Sequence, residues 1–379
     1  MASLSSEPIA KRLKSESKET RLIVSSQEKS ESAGNVVYEI KTLSPFCLSR
    51  EDQERKPEAV LHDKYYRSLE LVDVWTCIVN DRGQTSKLLR EVGEIHKLEN
   101  LRHLKRVKNK DGTLVMIVAA VDGIGGILRE NVTLKDLFRE STLVLDGLSQ
   151  PIITRVPKYP ALTMDQFNCW SKVWPMKFHE NKRITKLLTN EIFTDMEFLK
   201  IKKHMIEAIN VARTGKKNGV SHPVGGVVVN PRTNKIICKA YDMSNSRHPL
   251  RHTSMVCIDL IARLHGGGAW DRELDSHEDG QGSKDEQDMV DNDHMLEDDL
   301  ISCGETPYLC TGYDLYITRE PCVMCAMALL HSRIRTVFYG CATPCSGGLG
   351  SIYKIHCLDG ANHHFEVFRG LLEQECGKT

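Results

Sequence analysis

Across 379 residues there is no uninterrupted apolar run long enough to span a bilayer, so the sequence offers no transmembrane helix and no membrane partner. The opening stretch, MASLSSEPIAKRLKSESKE, lacks both the apolar core of a secretory signal and the acid-poor character of a mitochondrial presequence. Thirteen cysteines are present without the dense pattern of a small disulfide scaffold, and they read as reduced thiols inside a cell. Two glycine runs, DGIGGIL and SGGLGS, lack a following Lys-Ser and a strand-helix setting. That removes them as phosphate-binding loops and leaves them as turns. Net charge is absent too: 51 Lys and Arg balance 51 Asp and Glu.

That balance conceals an uneven distribution. From Asp271 to Leu300 there are 13 Asp and Glu against 2 Lys and Arg, so the remainder of the chain carries a charge of +11. A basic body with a separable acidic segment suits a nucleic-acid partner. Residues 1–35, rich in Ser, Glu and Lys, read as disordered. Within them Lys11, Arg12 and Lys14 form a cluster that serves as a nuclear address or simply stays solvated. The expectation drawn from it is a protein of nucleus and cytoplasm.

From Leu71 the pattern becomes ordered. LVDVWTCIVN reads as a strand, QTSKLLREVGEIHKLE as an amphipathic helix, and LRHLKRVK as a second strand. NKDG turns into the strand TLVMIVAAV, followed by the short helix TLKDLFRES and the strand SQPIITRVP. The order β-α-β-β-α-β predicts an α+β ferredoxin-like domain over 36–156. Arg102, Lys105, Arg106 and Lys108 crowd its second strand, either as a solvated face or as an RNA contact.

Residues 157–195, with several prolines and two tryptophans, read as a packed linker. Over 196–373 a helix, a hairpin, a helix from about His252, the strand YDLYITRE, a helix from Pro321 and the strand RTVFYG alternate. Such alternation predicts an α/β domain with a three-layer mixed sheet. The Gly-rich, acidic stretch 266–305 interrupts it as a surface loop.

The chemistry concentrates at the starts of two of these helices. Pro321-Cys-Val-Met-Cys325 places Cys322 and Cys325 three apart, on the first turn of a helix, with both sulfurs on one face. Helix N-termini favour thiolates, and His252 opens the other helix. One imidazole and two thiolates make a three-ligand zinc site with room for a fourth partner. Two cysteines alone could fill a core, and His248 is a second candidate imidazole, but the conjunction of strand, Pro-Cys-x-x-Cys and upstream histidine points to Zn²⁺. Cys341, Cys345 and Cys357 fit no metal spacing.

HPVGGVVVNPRTNKIICKAYDMSNSRHPLRHTSMVCIDL, followed by CTGYDLYITREPCVMCAMALLHSRIRTVFYG, resembles the cytidine and deoxycytidylate deaminase superfamily, and within it the tRNA adenosine deaminases. In that family the zinc lowers the pKa of a bound water, which attacks C6 of adenine, and a Glu two residues after the His shuttles the proton. Ser254 stands at that place here and cannot carry a proton near neutral pH. The resemblance therefore implies a catalytically degenerate, zinc-binding subunit that binds tRNA. A catalytic deaminase subunit would complete the heterodimer and convert wobble adenosine to inosine. The competing readings are a free-standing nucleoside or nucleotide deaminase with an unorthodox base, and a zinc-stabilised interaction module without an RNA role.

Overall fold

The structure is a computed structural model that describes residues 55–121, 132–138, 142–245, 248–270 and 308–379. The segment 1–35 with Lys11, Arg12 and Lys14, the DGIGGIL run and the acidic stretch from Asp271 to Leu300 lie outside these residues. In chain order the first elements are β1 (Glu58–Ala59), β2 (Leu71–Ile78), α1 (Thr85–Ile95), β3 (Val107–Lys110) and β4 (Thr113–Ala120). Then come α2 (Leu134–Phe138), α3 (Thr142–Gly147), β5 (Ile152–Pro157), α4 (Met164–Trp170), α5 (Lys182–Leu188) and α6 (Asp195–Lys217). The chain continues with β6 (Gly225–Asn230), β7 (Lys235–Tyr241), α7 (Thr253–Leu264), β8 (Asp314–Arg319), α8 (Val323–His331), β9 (Thr336–Cys341), β10 (Glu366–Arg369) and α9 (Glu373–Gly377).

β2 to β5 form a four-stranded antiparallel sheet in the order β3-β4-β2-β5, the ferredoxin-like arrangement that the element order predicts. Its central strands read as continuous apolar runs because both faces are covered. Trp75, Cys77, Met116 and Val118 pack with Leu88 and Val92 of α1. The alternate residues Val74 and Ile117 turn to the other face and meet Trp170, Trp174 and Met176. The stretch 157–195, read as a linker, thus supplies the second cover of the small sheet: its tryptophans are too large and apolar to stay in water.

The six-stranded sheet runs β1-β10-β9-β8-β6-β7, with β8, β9 and β10 parallel and the remaining pairings antiparallel. Residues alternate across it. Leu315 and Ile317 join Val256, Cys257, Ala326 and Leu329 of α7 and α8. Tyr316 faces the other way and stacks on Phe338, which stacks on Phe368, with centroids 4.8 and 5.1 Å apart. Long helix α6 lies on this aromatic side, started by a capping box between Thr194 and Glu197. Gly225 permits that approach, since a Cβ there would overlap the Ala208 carbonyl oxygen of the helix. β1 comes from the segment before the ferredoxin-like sheet, yet pairs with β10 at the edge of the large one. The region 36–156 therefore serves two sheets.

Candidate metal centre

The sequence around His252 builds a helix start, and the structure makes His252 the N-cap of α7. Its carbonyl accepts from Val256 N–H at 3.0 Å, closing the first turn. The Thr253 hydroxyl donates to the Val224 carbonyl at 2.8 Å, tying that start to the head of β6. Cys322 is likewise an N-cap, of α8, so Pro321 precedes the cap and Cys322 is not on the first turn as the spacing suggested. The reason is geometric: Cys322 is extended, at φ −68° and ψ 172°, which lets its sulfur swing toward Cys325 one turn on. Two N-caps on neighbouring helices face each other.

The ligand atoms of His252, Cys322 and Cys325 all lie within 4.8 Å of one another, and among the described residues no other three His, Cys, Asp or Glu gather in this way. His248, Cys341, Cys345 and Cys357 thus form no second cluster there. His252 Nδ1 stands 3.6 Å from Cys322 Sγ. Tetrahedral bonds of about 2.1 Å to nitrogen and about 2.3 Å to sulfur require a separation of about 3.6 Å, so the donor set and its spacing fit zinc. The Cys322 thiol is pulled down to about 5, first by the hydrogen bond from Cys325, then by the Cys325 N–H and His252. Cys325 is pushed up because it donates to Cys322 and is buried. The pair thus holds one thiolate readily, and a cation is what allows the second.

Ser254 sits in the first turn of α7 and is buried, at 1% exposure. Its hydroxyl has no hydrogen-bond partner of good geometry, though it is close enough to Cys325 to favour that thiolate. Of the neighbouring carboxylates, Glu320 is fully engaged. It accepts from the N–H groups of Thr343 at 2.9 Å, Leu349 at 3.0 Å and Ser351 at 3.0 Å, and from the Ser351 hydroxyl. A Cβ on Gly347 would collide with that carboxylate. Glu320 therefore pins the 343–351 loop, including the SGGLGS turn, beside Cys322, whose backbone bridges Gly347. Asp242, whose charge is felt at Cys325, is occupied by the Ser244 N–H at 3.0 Å and the Ser244 hydroxyl.

The basic residues of the expected second strand do not share one face, because only Val107–Lys110 is strand and Glu99–Leu101 is a 3-10 turn. The Arg106 guanidinium donates to the carbonyls of Ile117 and His96. Lys108 Nζ donates to the Val173 carbonyl at 2.8 Å and lies over the Trp174 ring. Both are half-buried and hold main chain, whereas Arg102 and Lys105 are exposed. What sequence reading missed is the role of Glu320, whose only signal is its place next to Pro321.

A mixed six-stranded sheet that presents an imidazole and a Cys-x-x-Cys from two adjoining helix starts defines a deaminase-fold metal domain. Residues 199–341 match the family described as the cytidine and deoxycytidylate deaminase zinc-binding region, and residues 72–174 match the tRNA-specific adenosine deaminase TAD3 N-terminal domain. A Danio rerio protein named probable inactive tRNA-specific adenosine deaminase-like protein 3 is 41% identical over 324 residues, covering 84% of this chain and 92% of that one. A Homo sapiens protein of the same name is 37% identical over 361 residues, covering 88% of this chain and 95% of that one. A Saccharomyces cerevisiae protein named tRNA-specific adenosine deaminase subunit TAD3 is 26% identical over 316 residues, with coverages of 80% and 85%. The chain belongs to this family of tRNA-specific adenosine deaminase-like 3 proteins.

Proposed function

We propose that the chain is a zinc-holding, non-catalytic subunit that acts with a catalytic deaminase chain on the wobble adenosine of tRNA. The observation that carries the reading is Ser254, buried where the chemistry needs a titrating carboxylate. Its hydroxyl can orient a hydrogen bond, but it cannot take a proton and return it near pH 7. Glu320 and Asp242 are no substitutes, since the 343–351 loop engages the first and Ser244 the second. His252, Cys322 and Cys325 would hold the zinc, and when bound the ion lowers the pKa of a ligated water. The residues themselves fasten α7 to α8. Zinc in this chain is therefore a structural tie, and the proton-carrying glutamate belongs to the partner. The names of the inactive relatives and of the yeast subunit support the same division of labour. A location in nucleus and cytoplasm is proposed on Lys11, Arg12 and Lys14 alone.

The test is inosine formation at the wobble position of tRNA by the purified chain, alone and with its catalytic partner. The chain alone is expected to be silent, and Ser254→Glu alone to stay silent. In the complex, Ser254→Glu should leave the rate nearly unchanged. Loss of a general acid–base typically costs about a hundred- to ten-thousandfold, so robust inosine formation by the unmodified chain would overturn the reading.

A further inference from the structure

A continuous line of contacts runs from the cluster of His252, Cys322 and Cys325 to the segment that leads into the small sheet. Its first link is the 343–351 loop, which lies on the start of α8. Cys322 bridges Gly347, and the Gly348 N–H donates to the Pro321 carbonyl at 2.9 Å. A Cβ on Gly348 would stand 2.8 Å from Ala326 Cβ and 3.1 Å from the Cys322 carbonyl oxygen, so glycine is what lets the loop come this close. The second link is a turn within the same stretch. Leu349 bridges Lys354, and the Ile355 N–H donates to the Gly348 carbonyl at 3.0 Å. Residues 354–356 are thus placed by residues 348 and 349, which the Pro321–Cys322 backbone and Glu320 place in turn.

The third link grips the chain between β1 and β2. Lys354 Nζ donates to the Leu61 carbonyl at 2.9 Å and to the Asp63 carboxylate. The buried His356 donates from Nε2 to the Val60 carbonyl at 2.8 Å. His62 faces Asp359 at 3.7 Å, and the Val60 side chain is buried with Leu349 and Ile355. Residues 58 and 59 are held by their pairing with β10, and from Lys64 onward the Gln166 amide takes over. Residues 60–63, between these two supports, lean on the 354–356 turn. Close-packed, hydrogen-bonded segments shift as units rather than deform continuously, so a displacement at Cys322 is passed on to Lys354 and His356.

We propose that residues 347–356 form a latch between the metal cluster and the small sheet. While His252, Cys322 and Cys325 hold the start of α8, Lys354 and His356 clasp residues 60–63 and fix how the small sheet stands against the large one. When the three ligands part, the clasp loosens and the small sheet is released. This rests on the zinc reading above and adds a regulatory consequence to it: metal loading decides whether the two sheets move as one body.

The experiment follows amide hydrogen exchange in the full chain, zinc-loaded or chelated, with and without Lys354→Met. That variant keeps the apolar stem and loses the ammonium. Residues 60–66 report the strap, through the bonded amides of Lys64, Tyr65 and Tyr66, and β4 reports the core of the small sheet. Chelation of the parent should raise exchange in 60–66 about tenfold, the effect of losing one hydrogen bond to a charged group, and leave β4 unchanged. Lys354→Met should show the same rise with its zinc still bound. Chelator should then add little, because both changes break one connection. Exchange in 60–66 that ignores the loss of zinc overturns the latch and leaves the local tie between α7 and α8 standing. Additive rises overturn it as well, since the two changes then act separately. A rise shared by β4 means that the metal holds the whole fold, which also overturns the latch. A parent chain that binds no zinc removes the zinc reading and the latch with it.

Discussion

The acidic residue beside the cluster of His252, Cys322 and Cys325 forms a wall of the site. Glu320 is 4% exposed and has both oxygens filled by three backbone N–H groups and a hydroxyl from the 343–351 loop. Its task is architectural: it holds the turn against the start of α8. Glutamine in its place keeps one acceptor oxygen and turns an NH₂ toward N–H donors, leaving at least one buried donor unsatisfied. Hydrogen bonds to a charged group are worth about 1.5–3 kcal/mol each. Glu320→Gln is expected to destabilise the fold by about 2–3 kcal/mol and to open the 343–351 loop to protease. Equal melting temperature and cleavage rate in variant and parent would show that the loop is held by other contacts. Ser254 is the complement: small and buried, its hydroxyl finds no hydrogen-bond partner, and the proposed function sets it where a proton carrier would stand.

Among the elements, the helices decide where the ligands stand. His252 and Cys322 are N-caps, so the side chains project from the head of each helix, where exposed N–H groups favour anionic sulfur. The position of α7 depends on β6, through the Thr253–Val224 hydrogen bond and through Gly226, where a Cβ would press on the Thr253 methyl. The position of α6 on the opposite face depends on Gly225 in the same strand. Gly225→Ala is expected to force the strand away from α6 and to cost roughly 1–3 kcal/mol or more, as overpacking at a rigid backbone contact does. A denaturant midpoint unchanged from the parent would mean that the helix can recede without loss. The small sheet behaves differently: β2 and β4 are buried on both faces, so their apolar runs carry no alternation for a reader to use.

At the scale of the molecule, two sheets are held by a short strap and a buried amide. β1 pairs with β10, and after eleven intervening residues β2 opens the other sheet. Between them the Gln166 side chain donates to the carbonyls of Lys64 at 3.0 Å and Arg67 at 3.2 Å and accepts from Leu162 N–H at 2.9 Å. His252, Cys322 and Cys325 bring the starts of α7 and α8 together on one face of the large sheet, and the zinc proposed for them would tie the two helices. Metal affinity of that kind is folding free energy. Chelation of zinc is therefore expected to lower the melting temperature of the chain, and Cys325→Ser to show the lower value with no further response to chelator. A chain that melts alike with and without chelator would remove the structural role. Much of this was legible from residues alone. The Cys-x-x-Cys announces itself by spacing, because ligand geometry on one helix is a local property, while the histidine on the other helix and the place of the missing glutamate come from the resemblance to the deaminase superfamily. The element order of the small sheet and of β6 to β9 in the large one was legible too, since turns and apolar periods are local, whereas the four-residue strand β10 was too short to carry such a pattern. What the sequence by itself could not assign is which distant pieces share a surface: β1 joins the later sheet, and two tryptophans from an apparent linker close the earlier one. Those decisions belong to the tertiary structure, because burial of large apolar side chains and pairing of backbone N–H and C=O groups are settled between segments remote in the chain.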